Sequence, residues 1–187
     1  MRSGTTTLTA ALMIADLRCF TALSDTADTP PITRLNHHLE AMADPVAKHG
    51  GEVLKFLGDG ILAAFAITGE QPQGAACAAA VRAAQEVLTR NDAVNRSRPG
   101  EVSLGVDIAL HCGDVFYGNI GAAGRLDFTV IGAAVNEVSR MEALCEALDC
   151  AVVMSASVAG AVPSSVRSLG WHALRGVAAD RELFTLV

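Results

Sequence analysis

Two apolar runs in the first third of the chain constrain its fold more than any other feature. They cover Glu52–Leu57 and Gly60–Ala66, and only Gly58 and Asp59 separate them. A two-residue connection joins antiparallel neighbours in a β-hairpin, because parallel strands need a crossover of a dozen or more residues. The sheet is therefore expected to contain antiparallel pairs, with Asp59 at the tip of a hairpin.

Apolar residues at helical spacing predict helices between the strands. Leu35, Leu39, Met42 and Val46 lie on one helical face, and Gly50 and Gly51 follow as a stop signal. The other helices are predicted over Gly74–Leu88 and Ala133–Leu148, with a polar connector over Asn91–Gly100.

The remaining apolar runs read as strands. They cover Leu8–Leu17, Val102–His111, Val115–Ile120, Leu126–Ile131, Ala151–Met154 and Glu182–Val187. The second and third of these strands are predicted to be separate, with a break at residues 112–114. A small helix and an irregular segment are predicted between the last two strands. The chain is expected to be one α/β (α+β) domain over residues 1–187, with residues 1–7 flexible and a mostly antiparallel sheet flanked by helices.

Composition narrows the function classes. The 187 residues carry a net charge of −6, which opposes binding to a phosphate backbone and argues against a nucleic-acid partner. No apolar run approaches the roughly 18–20 residues that cross a bilayer, so no membrane association is expected. The five cysteines form no CxxC pair, which favours reduced thiols in a cytoplasmic protein.

Two aspartates are the candidate metal ligands. Asp16 lies at the end of an apolar strand and Asp59 at the hairpin tip. Carboxylates that leave a hydrophobic core at neighbouring strand ends are costly unless a cation compensates them, and Mg²⁺ and Mn²⁺ prefer oxygen ligands. Taken alone, each aspartate would more often be structural, Asp59 as a turn residue and Asp16 as a helix cap.

Three motifs, in order, resemble those of the class III adenylyl and guanylyl cyclases. Ile14–Thr21 (IADLRCFT) resembles FxDIxGFT, and Lys55–Gly60 (KFLGDG) resembles KxxGDG. Arg125–Arg140 ends in VNEVSR, which resembles the VNxAxR helix, and Ala109–Gly121 resembles GIHxGxxxxGxxG. The resemblance runs from Leu8 almost to the end of the chain and implies the ferredoxin-like class III cyclase fold.

The resemblance implies a two-metal site. Asp16 and Asp59 would hold two Mg²⁺ or Mn²⁺ ions, with the backbone carbonyl of Leu17 as a further ligand. The ribose 3′-oxygen of a nucleoside triphosphate would attack the α-phosphorus in line, and pyrophosphate would leave. The backbone amides at Phe20 and Thr21 would face the β- and γ-phosphates.

The resemblance also assigns residues to the nucleotide. Asn136 would orient the ribose, and Arg140, four residues later on the same helical face, would stabilise charge at the α-phosphate. Lys55 and Thr129 would read the adenine edge, because ATP-using relatives carry Lys with Asp or Thr there, whereas guanylyl cyclases tend to carry Glu and Cys. Viewed without the family, Lys55 is an ordinary exposed strand residue and Thr129 an ordinary β-former.

Three positions depart from the family pattern, of which Ile14 in place of the usual Phe is the mildest. Cys19 replaces a glycine beside the phosphate-binding amides, where its side chain is expected to crowd the triphosphate. Val177 stands where some cyclases carry a triphosphate-binding lysine, and Arg175 is a candidate substitute.

The sequence is thus identified as a member of the class III cyclases, with ATP as the expected substrate and cyclic AMP and pyrophosphate as products. In this family two catalytic domains share each active site. One chain here carries all six residues that such a site needs, so a homodimer is expected. They are Asp16, Asp59, Lys55, Thr129, Asn136 and Arg140. A regulatory domain or partner outside this sequence is a further expectation. The alternatives are a guanylyl cyclase and a nucleotide-binding regulatory module without catalysis, which Cys19 favours.

Overall fold

One mixed sheet with helices on both faces makes up the part of the chain that the computed structural model describes. That part comprises residues 6–18, 20, 32–122 and 125–187, with the backbone alone at 119–122 and 125–129. The strands are β1 (Thr6–Arg18), β2 (Glu52–Leu57), β3 (Gly60–Ala66), β4 (Gly105–Ala122), β5 (Arg125–Ile131), β6 (Val152–Ser155), β7 (Val166–His172) and β8 (Arg181–Leu186). The helices are α1 (Ile32–Lys48), α2 (Gln73–Arg96), α3 (Ala133–Glu142) and α4 (Ala156–Ala159), with a 3₁₀ turn at Pro163–Ser165.

The strand order places β1 inside the sheet. Within the described residues the order is β2-β3-β1-β4-β6-β8-β7, and β5 pairs with the far half of β4. All pairs are antiparallel except β4 with β6. The expectation of a mostly antiparallel sheet flanked by helices is confirmed, and the hairpin turns at Gly58 and Asp59 as predicted.

Both faces of β1 are buried, which explains its nearly continuous apolar sequence. Ala11, Met13 and Ala15 belong to the core beneath α1 and α2. Leu12 and Ile14 belong to a second core beneath α3. Because side chains alternate along a strand, Asp16 follows Leu12 and Ile14 onto the α3 face.

The predicted break between two strands at residues 112–114 is wrong. One strand, β4, runs through Cys112, Gly113 and Asp114 and pairs with β1 without interruption. The Thr9 hydroxyl donates a 2.6 Å hydrogen bond to the Asp114 carboxylate. A glycine and an aspartate that resemble a turn in sequence are accommodated here by cross-strand partners.

The polar connector predicted after the second helix is also largely helical. Helix α2 continues to Arg96, because two asparagines in its last turns bond to the following loop. The Asn91 side-chain amide donates to the Leu104 carbonyl at 2.8 Å, and Asn95 both donates to that carbonyl and accepts from the Leu104 amide.

Three smaller boundaries differ from the prediction. Helix α3 ends at Glu142 rather than Leu148, and turns follow it. The segment predicted to be irregular contains strand β7. Thr6 and Thr7, predicted to be flexible, begin β1 opposite Tyr117 and Phe116. Among the described residues, no helix is long and apolar enough to span a membrane.

Candidate active site

Asp16 lies near the end of β1, where two neighbouring strands also end or turn. It pairs with Gly60 of β3 on one side and with Asp107 of β4 on the other. The site depends on the missing side chain of Gly60, because a Cβ there would lie 2.3 Å from the Asp16 Oδ1 atom and 2.6 Å from the Ala15 carbonyl oxygen. The glycine after Asp59 therefore makes room for the Asp16 carboxylate.

The electrostatics of Asp16 show that negative charge is concentrated here. Burial, together with the carboxylates of Asp59 and Asp107, raises the pKa of Asp16 to about 6. Asp16 and Asp59, 43 positions apart in the numbering, are thus brought into electrostatic contact by β1 and the β2–β3 hairpin. Such a pair gains from any cation that binds between the two carboxylates.

Asp107 is a component of this site that sequence reasoning missed. It is buried, at 7% exposure, opposite Asp16. Arg18 compensates it: the Arg18 Nε donates to both carboxylate oxygens at 3.1 Å, and an Nη atom adds a third contact. An acidic residue in the otherwise apolar run Val106–Leu110 was the available signal. Among the described carboxylates of this site, Asp107 is therefore one whose charge is balanced by an ion pair.

Glu142, at the end of α3, is a second missed carboxylate. Burial and the charges of Asp16, Asp107 and Asp59 raise the pKa of Glu142 to about 7. The C-terminal end of α3 therefore faces the same acidic region as β1 and the hairpin.

The donor chemistry of the site fits magnesium or manganese. Among the described residues, no three His, Cys, Asp or Glu side chains are grouped as a ready metal centre. Mg²⁺ is commonly held by only one or two carboxylates while substrate phosphates and water complete its shell. Asp16 and Asp59 match that requirement, and Leu17 directly follows Asp16 as a buried strand residue.

Helix α3 presents Asn136 and Arg140 on its outer side. Asn136 is exposed and Arg140 is partly exposed. The backbone of the β7–β8 connection passes close to the Arg140 guanidinium, since a Cβ on Gly176 would lie 3.5 Å from its Nη2 atom.

The structure describes the other predicted site residues only in part. Lys55 lies exposed on β2 opposite Leu62. Thr129 pairs through its backbone with Gly118, and its side chain is outside the described residues. Phe20 is buried, whereas Thr21 and Cys19 lie outside the described residues.

The family model for the adenylate and guanylate cyclase catalytic domain matches residues 5–182. The chain belongs to this family. The sequence resemblance to class III cyclases is thereby confirmed, and the match includes both acidic strand ends and helix α3.

Individual relatives of this cyclase domain are known from several organisms. An adenylate cyclase of Anabaena cylindrica is 32% identical over 150 residues, which are 79% of this chain and 29% of that protein. Adenylate cyclase 1 of Rhizobium meliloti is 26% identical over 182 residues, or 94% of this chain and 27% of that protein. The cyclase domain thus spans less than a third of either relative.

Solved structures share the fold along nearly the whole chain. The adenylyl cyclase CyaB of P. aeruginosa superposes with a TM-score of 0.88 at 25% identity, over 98% of this chain and 96% of that one. A guanylyl cyclase structure superposes with a TM-score of 0.80 at 26% identity, over 98% and 93% of the two chains. The class III cyclase fold is confirmed. Because adenylyl and guanylyl cyclases share this fold, the fold alone does not show whether the substrate carries adenine or guanine.

Proposed function

We propose that this domain is an adenylate cyclase, which converts ATP to 3′,5′-cyclic AMP and pyrophosphate. The observation that carries the proposal is the convergence of Asp16 and Asp59 on a crowded acidic site within a cyclase fold. The partly buried Asp16 carboxylate is costly in a purely structural setting, and its pairing with Asp59 suits a substrate that arrives with divalent cations.

The residues of the site divide between metal binding and nucleotide binding. The carboxylates of Asp16 and Asp59, with the Leu17 carbonyl, would hold two Mg²⁺ or Mn²⁺ ions, which when bound acidify the ribose 3′-hydroxyl and neutralise the triphosphate. The Asn136 amide orients the ribose, and the Arg140 guanidinium stabilises charge that builds on the α-phosphate.

Backbone amides at Phe20 and Thr21 bind the β- and γ-phosphates in this proposal. Cys19 stands beside them. Replacement of Cys19 by the family's glycine should therefore leave activity at least as high, whereas the alternative of a regulatory module without catalysis predicts no product from either form.

Lys55 and Thr129 are proposed to select adenine. A threonine hydroxyl can accept from the adenine amino group, and a lysine can donate to a ring nitrogen. A polar site matched to one base rejects the other because its buried groups would be left unpaired. The guanylyl alternative is favoured only by the similar fold of guanylyl cyclases.

The active site is proposed to form between two copies of the chain. One copy would supply Asp16 and Asp59, and the other Lys55, Thr129, Asn136 and Arg140. This division follows the likeness to the class III cyclases, in which two catalytic domains share each active site.

The decisive experiment is identification of the product. The purified protein is incubated with ATP or GTP and with Mn²⁺ or Mg²⁺. The products are separated by chromatography and identified by mass spectrometry. Cyclic AMP with pyrophosphate is expected, with a higher kcat/KM for ATP, and Asp59→Asn serves as the control for contaminating activity. Equal kcat/KM values would remove the adenine assignment, and stabilisation by nucleotide without product would favour the regulatory module.

A further inference from the structure

Helix α3 carries a buried carboxylate between the two residues proposed to bind the nucleotide. Glu137 follows Asn136 directly, yet it is only 8% exposed and points into the molecule. A buried carboxylate is costly unless it is paired. Its partner is Arg181, the first residue of β8, whose Nε donates to the Glu137 Oε1 at 2.7 Å.

This ion pair is a specific polar link between α3 and the rest of the domain. The helix has only ten residues, and Gly132 at its start provides no side-chain cap. Short helices without caps depend on tertiary contacts for their position. Among the described residues, Glu137 is the α3 side chain that makes an ion pair.

The same connection that ends at Arg181 also passes Arg140. Between β7 and β8, Gly176 adopts a φ of +73°, and its backbone lies beside the Arg140 guanidinium. The segment from Gly176 to Arg181 therefore approaches α3 near Arg140 and is joined to it by the ion pair at Glu137. The pair fixes one end of a short strap, and the other end borders the guanidinium.

We infer that Glu137 and Arg181 are positioning residues, which hold α3 and the 176–181 strap in register so that the Arg140 guanidinium meets the α-phosphate. The inference rests on the proposed cyclase function for its kinetic consequence. The placement of Arg140 by the ion pair does not depend on that function.

The expected consequence is a loss of turnover rather than of substrate affinity. A displacement of about 1 Å in a group that acts in the transition state can lower a rate by about a hundredfold. Loss of the pair should therefore reduce kcat by at least about tenfold and change KM by less than about threefold.

The variant must remove the link without leaving a buried charge. In Glu137→Leu/Arg181→Met, two apolar side chains of similar length replace the pair, an exchange that folded proteins often tolerate. Arg181→Lys keeps the charge and should recover part of the lost kcat. Arg90→Gln is the matched control, since it breaks ion pairs with Asp44 and Glu86 on α1 and α2, away from α3.

Two measurements decide the inference. First, kcat and KM are measured in the native and Arg140→Ala backgrounds, and the apolar double variant should lower kcat only when Arg140 is present. Second, the ¹⁵N–¹H signal of the Arg140 Nε, assigned by its loss in Arg140→Lys, should shift in the apolar double variant and not in Arg90→Gln.

The outcomes separate this inference from the proposed function. An unchanged kcat, an equal loss in both backgrounds, or an unmoved Arg140 signal would overturn the positioning role. A native protein that makes no cyclic nucleotide, but whose Arg140 signal still shifts in the double variant, would refute the proposed function and leave the positioning role supported.

Discussion

At the scale of single residues, the proposed two-metal reaction depends on Asp16 and Asp59. Replacement of either by asparagine should lower turnover by at least about a hundredfold, because a metal ligand contributes several kcal/mol of charge stabilisation. The folded state should be retained. Steady-state kinetics and thermal unfolding of the two variants check this, and activity near that of the native protein would contradict the two-metal site.

The raised pKa of Asp16 gives the sign of the stability change. Because the folded state binds this proton more tightly than the unfolded state, ionisation costs stability as pH rises from about 4 to about 6. Asp16→Asn removes that cost. Without metal, the variant should therefore melt at or above the native temperature at pH 7.5.

His38 is expected to lower the stability of the fold as pH falls, which is the opposite of the pH dependence expected from Asp16. The side chain is fully buried, its Nδ1 lies 2.7 Å from the Asn91 Oδ1, and burial lowers the pKa of the imidazole. Protonation therefore favours the unfolded state, so stability is lost as pH falls below about 6.5.

The prediction is that the free energy of unfolding of the native protein falls more steeply between pH 6.5 and 5 than that of His38→Gln. Urea unfolding at several pH values measures both. Parallel curves would show that His38 does not control this part of the pH dependence.

At the scale of secondary-structure elements, the contact between α3 and β4 is unusually close. A Cβ on Gly113 would lie 2.9 Å from the Ala134 Cβ. Gly113→Ala should push the helix outwards and cost about 1–3 kcal/mol of stability, as overpacking does. It should also lower kcat, since α3 carries Arg140.

A compensating substitution separates crowding from other effects of Gly113→Ala. Addition of Ala134→Gly removes the opposing methyl group and should restore kcat, apart from the lower helix propensity of glycine. Activity assays and urea unfolding of the single and double variants measure this. If the double variant is no more active than Gly113→Ala, the close contact does not set the helix position.

The elements also show where sequence reasoning succeeds and fails. The hairpin and the buried strand β1 were predictable because local turn chemistry and apolar runs specify them. The uninterrupted strand β4 was not, since its pairing with β1 compensates Gly113 and Asp114 through contacts distant in sequence. The same reason explains the site: Asp16 and Asp59 were found from motifs, whereas Asp107 and Glu142 join them only through strand register and helix packing.

At the scale of the whole molecule, the proposed shared site predicts complementation. Asp59→Ala and Arg140→Ala homodimers should each keep only a residual turnover, about a hundredth of the native kcat or less. A mixed dimer has one site with both defects and one intact site, so random exchange should recover about a quarter of native activity under twofold symmetry. Mixing after reversible dissociation, with exchange followed by a mass tag, measures the recovery. Persistent inactivity despite exchange would falsify the interfacial site.

The position of β1 has a further consequence for the lifetime of the site. Because β3 and β4 pair with residues 10–16 of β1 on both sides, the amide protons of that stretch cannot reach solvent until a neighbouring strand has separated. Hydrogen exchange in D₂O should be slowest there and much faster along the edge strand β7. Asp16 would then lie in the last part of the sheet to open, so transient fraying at the β7 edge would leave the carboxylate pair in place.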